Sequence, residues 1–131
     1  IEGLQLKHDA GHNSLGGLRR GFEEAVNAKA VQGAIHLLIR THPVTHRQCL
    51  YLGRRQDAYI VGLELGESEA LLDEIWAAAT YPDYCWQQTW RPHDTVMWDN
   101  RCTMHAATGF EYERYSREMW RLTLLERPKA A

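Results

Sequence analysis

Ile35-His36-Leu37-Leu38-Ile39-Arg40 is a short, apolar and partly β-branched run that ends just before His42-Pro43. Such a run, closed by an X-Pro step, predicts a strand followed by a turn. Cys49-Leu50-Tyr51-Leu52 predicts a second strand, and the connection over residues 43–48 has the length and polarity of a hairpin loop. The middle of the chain is therefore predicted to form two antiparallel strands.

A helix is predicted after this hairpin, from Glu67 to Tyr81, because its apolar residues recur with helical spacing. Ser68 is the predicted cap, and Pro82 ends the helix. The residues of its apolar face are Leu71, Leu72, Ile75, Trp76 and Ala79.

Towards the start of the chain the pattern is weaker. Residues 2–9 are predicted to be the end of a helix, and the glycines and polar residues from Gly11 to Gly17 indicate a loop. Residues 18–31 suit a short helix or an insertion, with Phe22, Ala25 and Val26 as a weak apolar stripe.

The last third of the chain is rich in β-branched and aromatic residues between turn-forming residues. Strands are predicted at residues 85–90, 95–98, 103–107 and 120–125. Trp86, Trp90, Trp98 and Trp120 are predicted to belong to the core. Short strands with few helices predict a mainly β fold with flanking helices, arranged as an antiparallel sandwich or barrel.

Composition limits the possible partners. The 131 residues are 44% hydrophobic, which predicts a single domain, over residues 1–131. The 15 Lys and Arg residues are balanced by 17 Asp and Glu residues, so neither a nucleic acid nor an anionic membrane is an expected partner. No apolar run reaches the roughly 18 residues of a membrane span. These observations, the absence of a signal-peptide pattern and three cysteines suited to a reduced state predict a soluble cytoplasmic protein.

The segment most specific for a function is Trp90-Arg91-Pro92-His93-Asp94-Thr95-Val96-Met97-Trp98-Asp99-Asn100-Arg101-Cys102-Thr103-Met104-His105, followed by Arg117 and Arg121. It resembles the second half of the taurine and 2,4-dichlorophenoxyacetate dioxygenases, which depend on Fe(II) and 2-oxoglutarate. The resemblance extends over residues 35–128, with residues 1–34 as a helix and variable loop region. It implies the C-terminal part of a double-stranded β-helix, or jelly roll.

The resemblance also implies roles for individual residues. His105 would be the distal metal ligand, and Arg117 would bind the far carboxylate of 2-oxoglutarate as a planar, permanently charged fork. Arg121, four residues further on, would lie on the same face of a strand and bind the acid group of the substrate. Trp98 would line the pocket. A face of two histidines and one carboxylate suits Fe(II) because it leaves positions for the keto acid and for O2.

The same residues could instead have ordinary structural roles. His105 could be an ordinary strand histidine, Arg117 a surface charge, and Arg121 the partner of Glu118 or Glu126. His42, His46 and His93 are predicted to lie in turns and are not expected to bind a metal.

The chain departs from the family at one decisive point. The residues two positions after the seven histidines are Ala10, Ser14, Leu38, Val44, Gln48, Thr95 and Ala107, so no His-x-Asp or His-x-Glu is present. With Ile1 as an unusual first residue, this predicts an incomplete chain that is inactive alone. Its exposed edges and apolar face are expected to be covered by the N-terminal part of the same protein or by self-association.

The resulting functional hypothesis concerns the parent protein. It would use Fe(II), 2-oxoglutarate and O2 to hydroxylate a small anionic sulfonate or carboxylate, releasing succinate and CO2. The alternative is a non-catalytic jelly-roll module that binds a dicarboxylate. A cupin-like metal protein is a third, weaker reading, because the histidines share no spacing.

Overall fold

The computed structural model describes residues 1–13, 16–53, 56–109, 111 and 113–125. In this part of the chain the protein is built mostly from short strands, with one α-helix. The strands are β1 (Gln5–Lys7), β2 (Ile35–Leu37), β3 (Ile39–Thr41), β4 (Gln48–Leu50) and β5 (Tyr59–Ile60). Helix α1 spans Leu65–Ala79, and a 3-10 turn follows at Pro82–Tyr84. Within the described ranges, no helix has the length and apolar character needed to span a membrane.

The predicted hairpin is confirmed, but the single strand predicted over residues 35–40 is divided into β2 and β3, which belong to different sheets. Strands β3 and β4 pair antiparallel with Arg40 opposite Cys49. A second sheet has the order β2-β1-β5, with Leu6 opposite both His36 and Ile60. Leu38 joins the two sheets, because its amide donates to the carbonyl of Leu4 at 2.9 Å and its carbonyl accepts from the amide of Tyr51 at 2.8 Å.

One apolar core lies between the strands and α1. Its fully buried large side chains are Leu6, Leu38, Leu52, Ile60 and Leu72. Burial of an aliphatic side chain of this size contributes roughly 1.5–3 kcal/mol.

The predicted helix is confirmed, but its cap is not Ser68. Helix α1 begins two residues earlier than predicted, with Glu64 as the N-cap in a reciprocal capping box with Glu67. Ser68 is buried, and its Oγ accepts a hydrogen bond from the amide of Ile60 at 2.9 Å. The serine therefore fastens α1 to β5.

Other secondary-structure predictions are wrong. Residues 2–9 contain strand β1 instead of a helix end, because Leu6 pairs with strands distant in sequence. Residues 18–31 contain no helix, so of the two alternatives for this stretch the helix is wrong and the insertion stays a prediction. The described residues from 85 to 125 contain none of the four predicted strands. Trp86 and Trp120, predicted to be core residues, are 72% and 90% exposed. Trp90 and Trp98, also predicted to be core residues, are 41% and 38% exposed.

The jelly roll accordingly stays a prediction. The strands of the described residues form a three-stranded and a two-stranded sheet, and this arrangement does not establish a double-stranded β-helix.

Candidate functional site

A cleft of about 400 Å³ lies between the segments that follow β1 and β4 and the segment that leads to His105. One wall is formed by residues 8–9 and 50–53, and the other by residues 100–105. Of the predicted site residues, His105 lines the cleft, and Trp98 contacts it from outside the lining. The indole of Trp98 and the imidazole of His105 lie with their ring centroids 4.7 Å apart, at an interplanar angle of 52°. The Trp98 indole N–H donates to Asn100 Oδ1 at 2.8 Å, which holds the indole in place.

The opposite wall carries a cluster of three rings. The centroids of His8, His36 and Tyr51 lie 5.3–5.5 Å from one another. The guanidinium of Arg40 lies over the Tyr51 ring, 4.5 Å from its centroid. Burial of His8, with a smaller effect of the nearby His36, lowers the pKa of the His8 imidazole. This wall therefore favours a neutral imidazole at His8.

Gly53 ends this wall at a position that leaves no room for a side chain. Its φ is +65°, in the left-handed region, and a Cβ at this position would overlap the ring of His8. Any side chain at residue 53 would therefore displace His8 from the cleft.

The turn before His105 is anchored to the β3–β4 hairpin. His42 is buried, and its Nε2 lies 3.1 Å from Asp99 Oδ2. Arg101 donates to the same carboxylate through its amide, Nε and Nη2 at 2.7–3.1 Å. Hydrogen bonds from Arg101, and then from His42, hold the pKa of the Asp99 carboxyl well below its usual range.

A second cluster of ionisable groups lies near the start of the chain. His12 Nδ1 is 2.8 Å from Asp9 Oδ2 and 3.5 Å from Asp57 Oδ2, and His12 Nε2 is 3.3 Å from Glu24 Oε2. The hydrogen bond to Asp9 raises the pKa of His12, against the effect of burial. Burial raises the pKa of Asp9, but hydrogen bonds from Gly11 and His12 outweigh it and lower the pKa overall.

The described ranges hold two groups of three possible metal-ligating side chains whose ligand atoms lie within 4.8 Å of one another. They are His42, Asp99 and Cys102, and Asp9, His12 and Asp57. Neither group contains His105, and in each group a histidine already contacts one carboxylate, His42 with Asp99 and His12 with Asp9. Because the chain also has no His-x-Asp or His-x-Glu, its described residues do not fit a complete two-histidine, one-carboxylate iron site.

The two predicted anion-binding arginines lie elsewhere. Arg117 and Arg121 are exposed, and neither lines the cleft beside His105. Residues 113–125 form no strand, so the strand geometry that would place both arginines on one face is not observed. The structure thus brings together Trp98 and His105 but not the two arginines.

The family of the chain follows from comparison with known proteins. The model of the "Taurine catabolism dioxygenase TauD, TfdA family" matches residues 1–123. The chain belongs to this family. The resemblance predicted from Trp90–His105 is therefore confirmed.

Three curated relatives illustrate the range of the TauD, TfdA family. The (S)-phenoxypropionate/alpha-ketoglutarate-dioxygenase of Sphingobium herbicidovorans is 42% identical over 83 residues, which are 63% of this chain and 28% of the relative. The alpha-ketoglutarate-dependent sulfonate dioxygenase of Saccharomyces cerevisiae is 33% identical, over 95% of this chain and 30% of the relative. The alpha-ketoglutarate-dependent 2,4-dichlorophenoxyacetate dioxygenase of a Burkholderia species is 32% identical, over 97% of this chain and 42% of the relative.

The matched region spans between 28% and 42% of the length of these three relatives. No solved structure matches the chain.

Sequence reasoning missed three residues around the cleft, His8, Tyr51 and His42. The first two belong to stretches predicted to be helix and strand, with no motif to single them out. For His42 a weak signal existed, because His42-Pro43 and Trp98-Asp99-Asn100-Arg101 both lie in the region of resemblance. Nothing local connects them, since the partners His42 and Asp99 are 57 residues apart.

Proposed function

We propose that the chain is part of an Fe(II)- and 2-oxoglutarate-dependent dioxygenase that hydroxylates a small anionic organic acid, a sulfonate or a carboxylate, and releases succinate and CO2. The observation that carries this proposal is membership of the TauD, TfdA family over residues 1–123. The named relatives act on phenoxypropionate, sulfonates and 2,4-dichlorophenoxyacetate, which share an acid group on a small organic body.

In this proposal His105 is one iron ligand and Trp98 lines the pocket beside it. The support for these roles is the position of His105 in the lining of the cleft and the 4.7 Å distance between its ring centroid and that of Trp98. A neutral imidazole is a suitable ligand for Fe(II), and an adjacent indole limits the access of water. Iron supplies the activation of O2 when bound.

Arg117 is proposed to bind 2-oxoglutarate, and Arg121 the acid group of the substrate. Both guanidinium groups are permanently charged and can form two parallel hydrogen bonds to one carboxylate or sulfonate. Neither arginine lines the cleft. For both to bind their anions there, residues 113–125 must pack against the cleft wall in the working enzyme.

The remaining iron ligands are proposed to come from another part of a longer protein. The support is the lack of His-x-Asp in this chain together with the share of each relative that it spans, 28% to 42%. The same part of the protein would cover exposed apolar residues such as Trp120 and Leu122. A cytoplasmic location agrees with the three free cysteines.

The test uses the full product of the gene that encodes this chain. It is supplied with Fe(II), 2-oxoglutarate, O2 and a panel of sulfonates and phenoxy acids, and succinate is measured. We expect one succinate per hydroxylated acid and a His105→Ala variant whose kcat falls at least about 100-fold, because an iron site that loses an imidazole binds its metal poorly. The matched control is His93→Asn, since His93 is exposed with φ 73° and asparagine tolerates that conformation.

Succinate formation that is unaffected by His105→Ala would contradict the assignment of the ligand. A full product that lacks His-x-Asp, binds 2-oxoglutarate and never turns it over would instead support the non-catalytic dicarboxylate-binding module.

Arg117 is tested in the same assay by Arg117→Lys. We expect the KM for 2-oxoglutarate to rise about tenfold, because an ammonium group cannot copy the two-bond contact of a guanidinium. Arg114→Lys is the control, since Arg114 is an exposed residue whose Nη1 lies 3.7 Å from Glu111. An unchanged KM in Arg117→Lys would remove Arg117 from the site.

A further inference from the structure

His42 lies at the end of β3 and uses both nitrogens of its ring. Nδ1 accepts hydrogen bonds from the amides of Val44 at 3.3 Å and Thr45 at 3.1 Å. A ring nitrogen that accepts a hydrogen bond carries no proton, so in the neutral ring the proton is on Nε2. This N–H then donates to Asp99 Oδ2 at 3.1 Å. The hairpin turn thus sets the tautomer that reaches across to Asp99.

Asp99 in turn accepts the hydrogen bonds that shape the backbone turn after it. Its carboxylate accepts from the amide of Arg101 at 2.8 Å. Its carbonyl accepts from the amide of Thr103 at 3.1 Å and from the Thr103 hydroxyl at 2.7 Å. Because these bonds all converge on Asp99, the orientation of the turn over residues 99–103 depends on where Asp99 is held.

A second contact joins the same two parts of the chain. Cys49 Sγ, on β4, lies 3.4 Å from the carbonyl oxygen of Arg101 and 3.4 Å from that of Arg40, and its single S–H can donate to either. Beyond this contact, residues 100–105 form one wall of the cleft, and residues 50–53, which continue β4, form the other. The hairpin and the turn are therefore attached at the point where the cleft begins.

We propose that His42 and Asp99 form a clasp that holds the turn over residues 99–103 against the β3–β4 hairpin and thereby sets the position of His105 in the cleft lining and its contact with Trp98. In this proposal His42 is a positioning residue that acts through Asp99. The consequence for iron binding by His105 rests on the proposed function. The contact between His42 and Asp99 does not.

The first test is the tautomer of His42 in the full product of the gene that encodes this chain, read from the ring nitrogen chemical shifts by NMR. We expect an unprotonated Nδ1 and a protonated Nε2 at neutral pH. A proton on Nδ1 would overturn the proposal, because the amides of Val44 and Thr45 could not then donate to it. This measurement needs no variant.

The second test compares His42→Asn with His46→Asn. Asparagine at residue 42 keeps an acceptor close to the Val44 and Thr45 amides but is too short to reach Asp99. His46 is an exposed residue of the same turn with φ 57°, which asparagine tolerates. In His42→Asn we expect amide exchange at Arg101 and Thr103 to quicken about tenfold, as for loss of one hydrogen bond to a charged group.

We also expect the ring protons of His105 in His42→Asn to lose part of the shift caused by the Trp98 indole. The amides of α1 should be unchanged in both variants, which would show that the fold is intact. Unchanged exchange at residues 101–103 and unchanged His105 shifts in a folded His42→Asn would overturn the clasp. Because no readout involves turnover, failure of the clasp and failure of the dioxygenase proposal are separate results.

Discussion

The sheet and helix region, comprising the described residues of 4–79, differs sharply from the C-terminal segment, comprising the described residues of 85–125. In the first, Leu6, Leu38 and Leu72 are completely buried. In the second, Leu122 and Leu124 are 91% and 84% exposed. Both regions are rich in large apolar residues, so composition does not explain the difference. Side chains are buried in the region whose backbone amides and carbonyls are paired in strands or in the helix. Unpaired backbone groups are costly to remove from water, so a segment without such pairs stays exposed.

The largest loss of stability is expected when a core side chain is removed. Leu72→Ala should lower the free energy of unfolding by roughly 2.7–5 kcal/mol, because it leaves a cavity between α1 and the sheet. Leu122→Ala is the matched change in the C-terminal segment and should alter it by no more than about 0.5 kcal/mol. Urea denaturation followed by circular dichroism measures both. Equal losses in the two variants would mean that Leu122 is buried in solution.

A smaller effect is expected at the serine that joins α1 to β5. Ser68→Ala removes the acceptor of the buried Ile60 amide, which should cost about 1–3 kcal/mol. Ser116→Ala, at an exposed position, should change the free energy of unfolding by less than about 0.5 kcal/mol. The same urea titrations give the comparison. A neutral Ser68→Ala would show that the Ile60 amide finds another partner.

The smallest expected effect is a dependence of the stability on pH, caused by two histidines of the sheet and helix region. The pKa of His12 is raised in the folded state by its hydrogen bond to Asp9, so the folded chain holds this proton more tightly than the unfolded chain. The resulting stability is fully present below the ordinary value of 6.5 and is lost as pH rises through the folded pKa. His12→Gln should therefore flatten the decline of the urea midpoint above neutral pH.

His8 provides the opposite sign for the same experiment. Burial lowers its pKa, so its contribution is present above 6.5 and is lost as pH falls through the folded value. His8→Gln should remove this loss of stability on the acid side. If His12→Gln and His8→Gln change the pH profile in the same direction, the hydrogen bond of His12 or the burial of His8 does not hold in solution.

Local patterns were sufficient for α1 and the β3–β4 hairpin. The apolar residues of α1 recur within a few positions of one another, and the hairpin partners Arg40 and Cys49 are close in sequence. Strand β1 was predicted wrongly because its partners, His36 and Ile60, are distant in sequence and leave no local trace beside Leu6. The strands predicted within residues 85–125 rest on β propensity alone, and propensity without a pairing strand does not produce a ladder.

For the candidate site, the motif singled out Trp98 and His105, and their roles stay predictions together with those of Arg117 and Arg121. The distance between Trp98 and His105 could not be read from the sequence, because it depends on a turn whose anchor, His42, lies far along the chain. His42 was predicted to be an ordinary turn residue, since a histidine before proline gives no indication of a distant acceptor.

The connection between β5 and α1 limits how the length of this chain can vary in evolution. Hydrogen bonds from the Tyr59 hydroxyl to the Leu63 carbonyl at 2.7 Å and from the Ile60 amide to Ser68 Oγ at 2.9 Å span the whole connection. A residue inserted there would lengthen the segment that these two bonds close and would disturb both of them. Insertions beside Val26, which is 90% exposed, would disturb neither bond. Homologues should therefore differ in length around residue 26 and keep the spacing from Tyr59 to Ser68 constant.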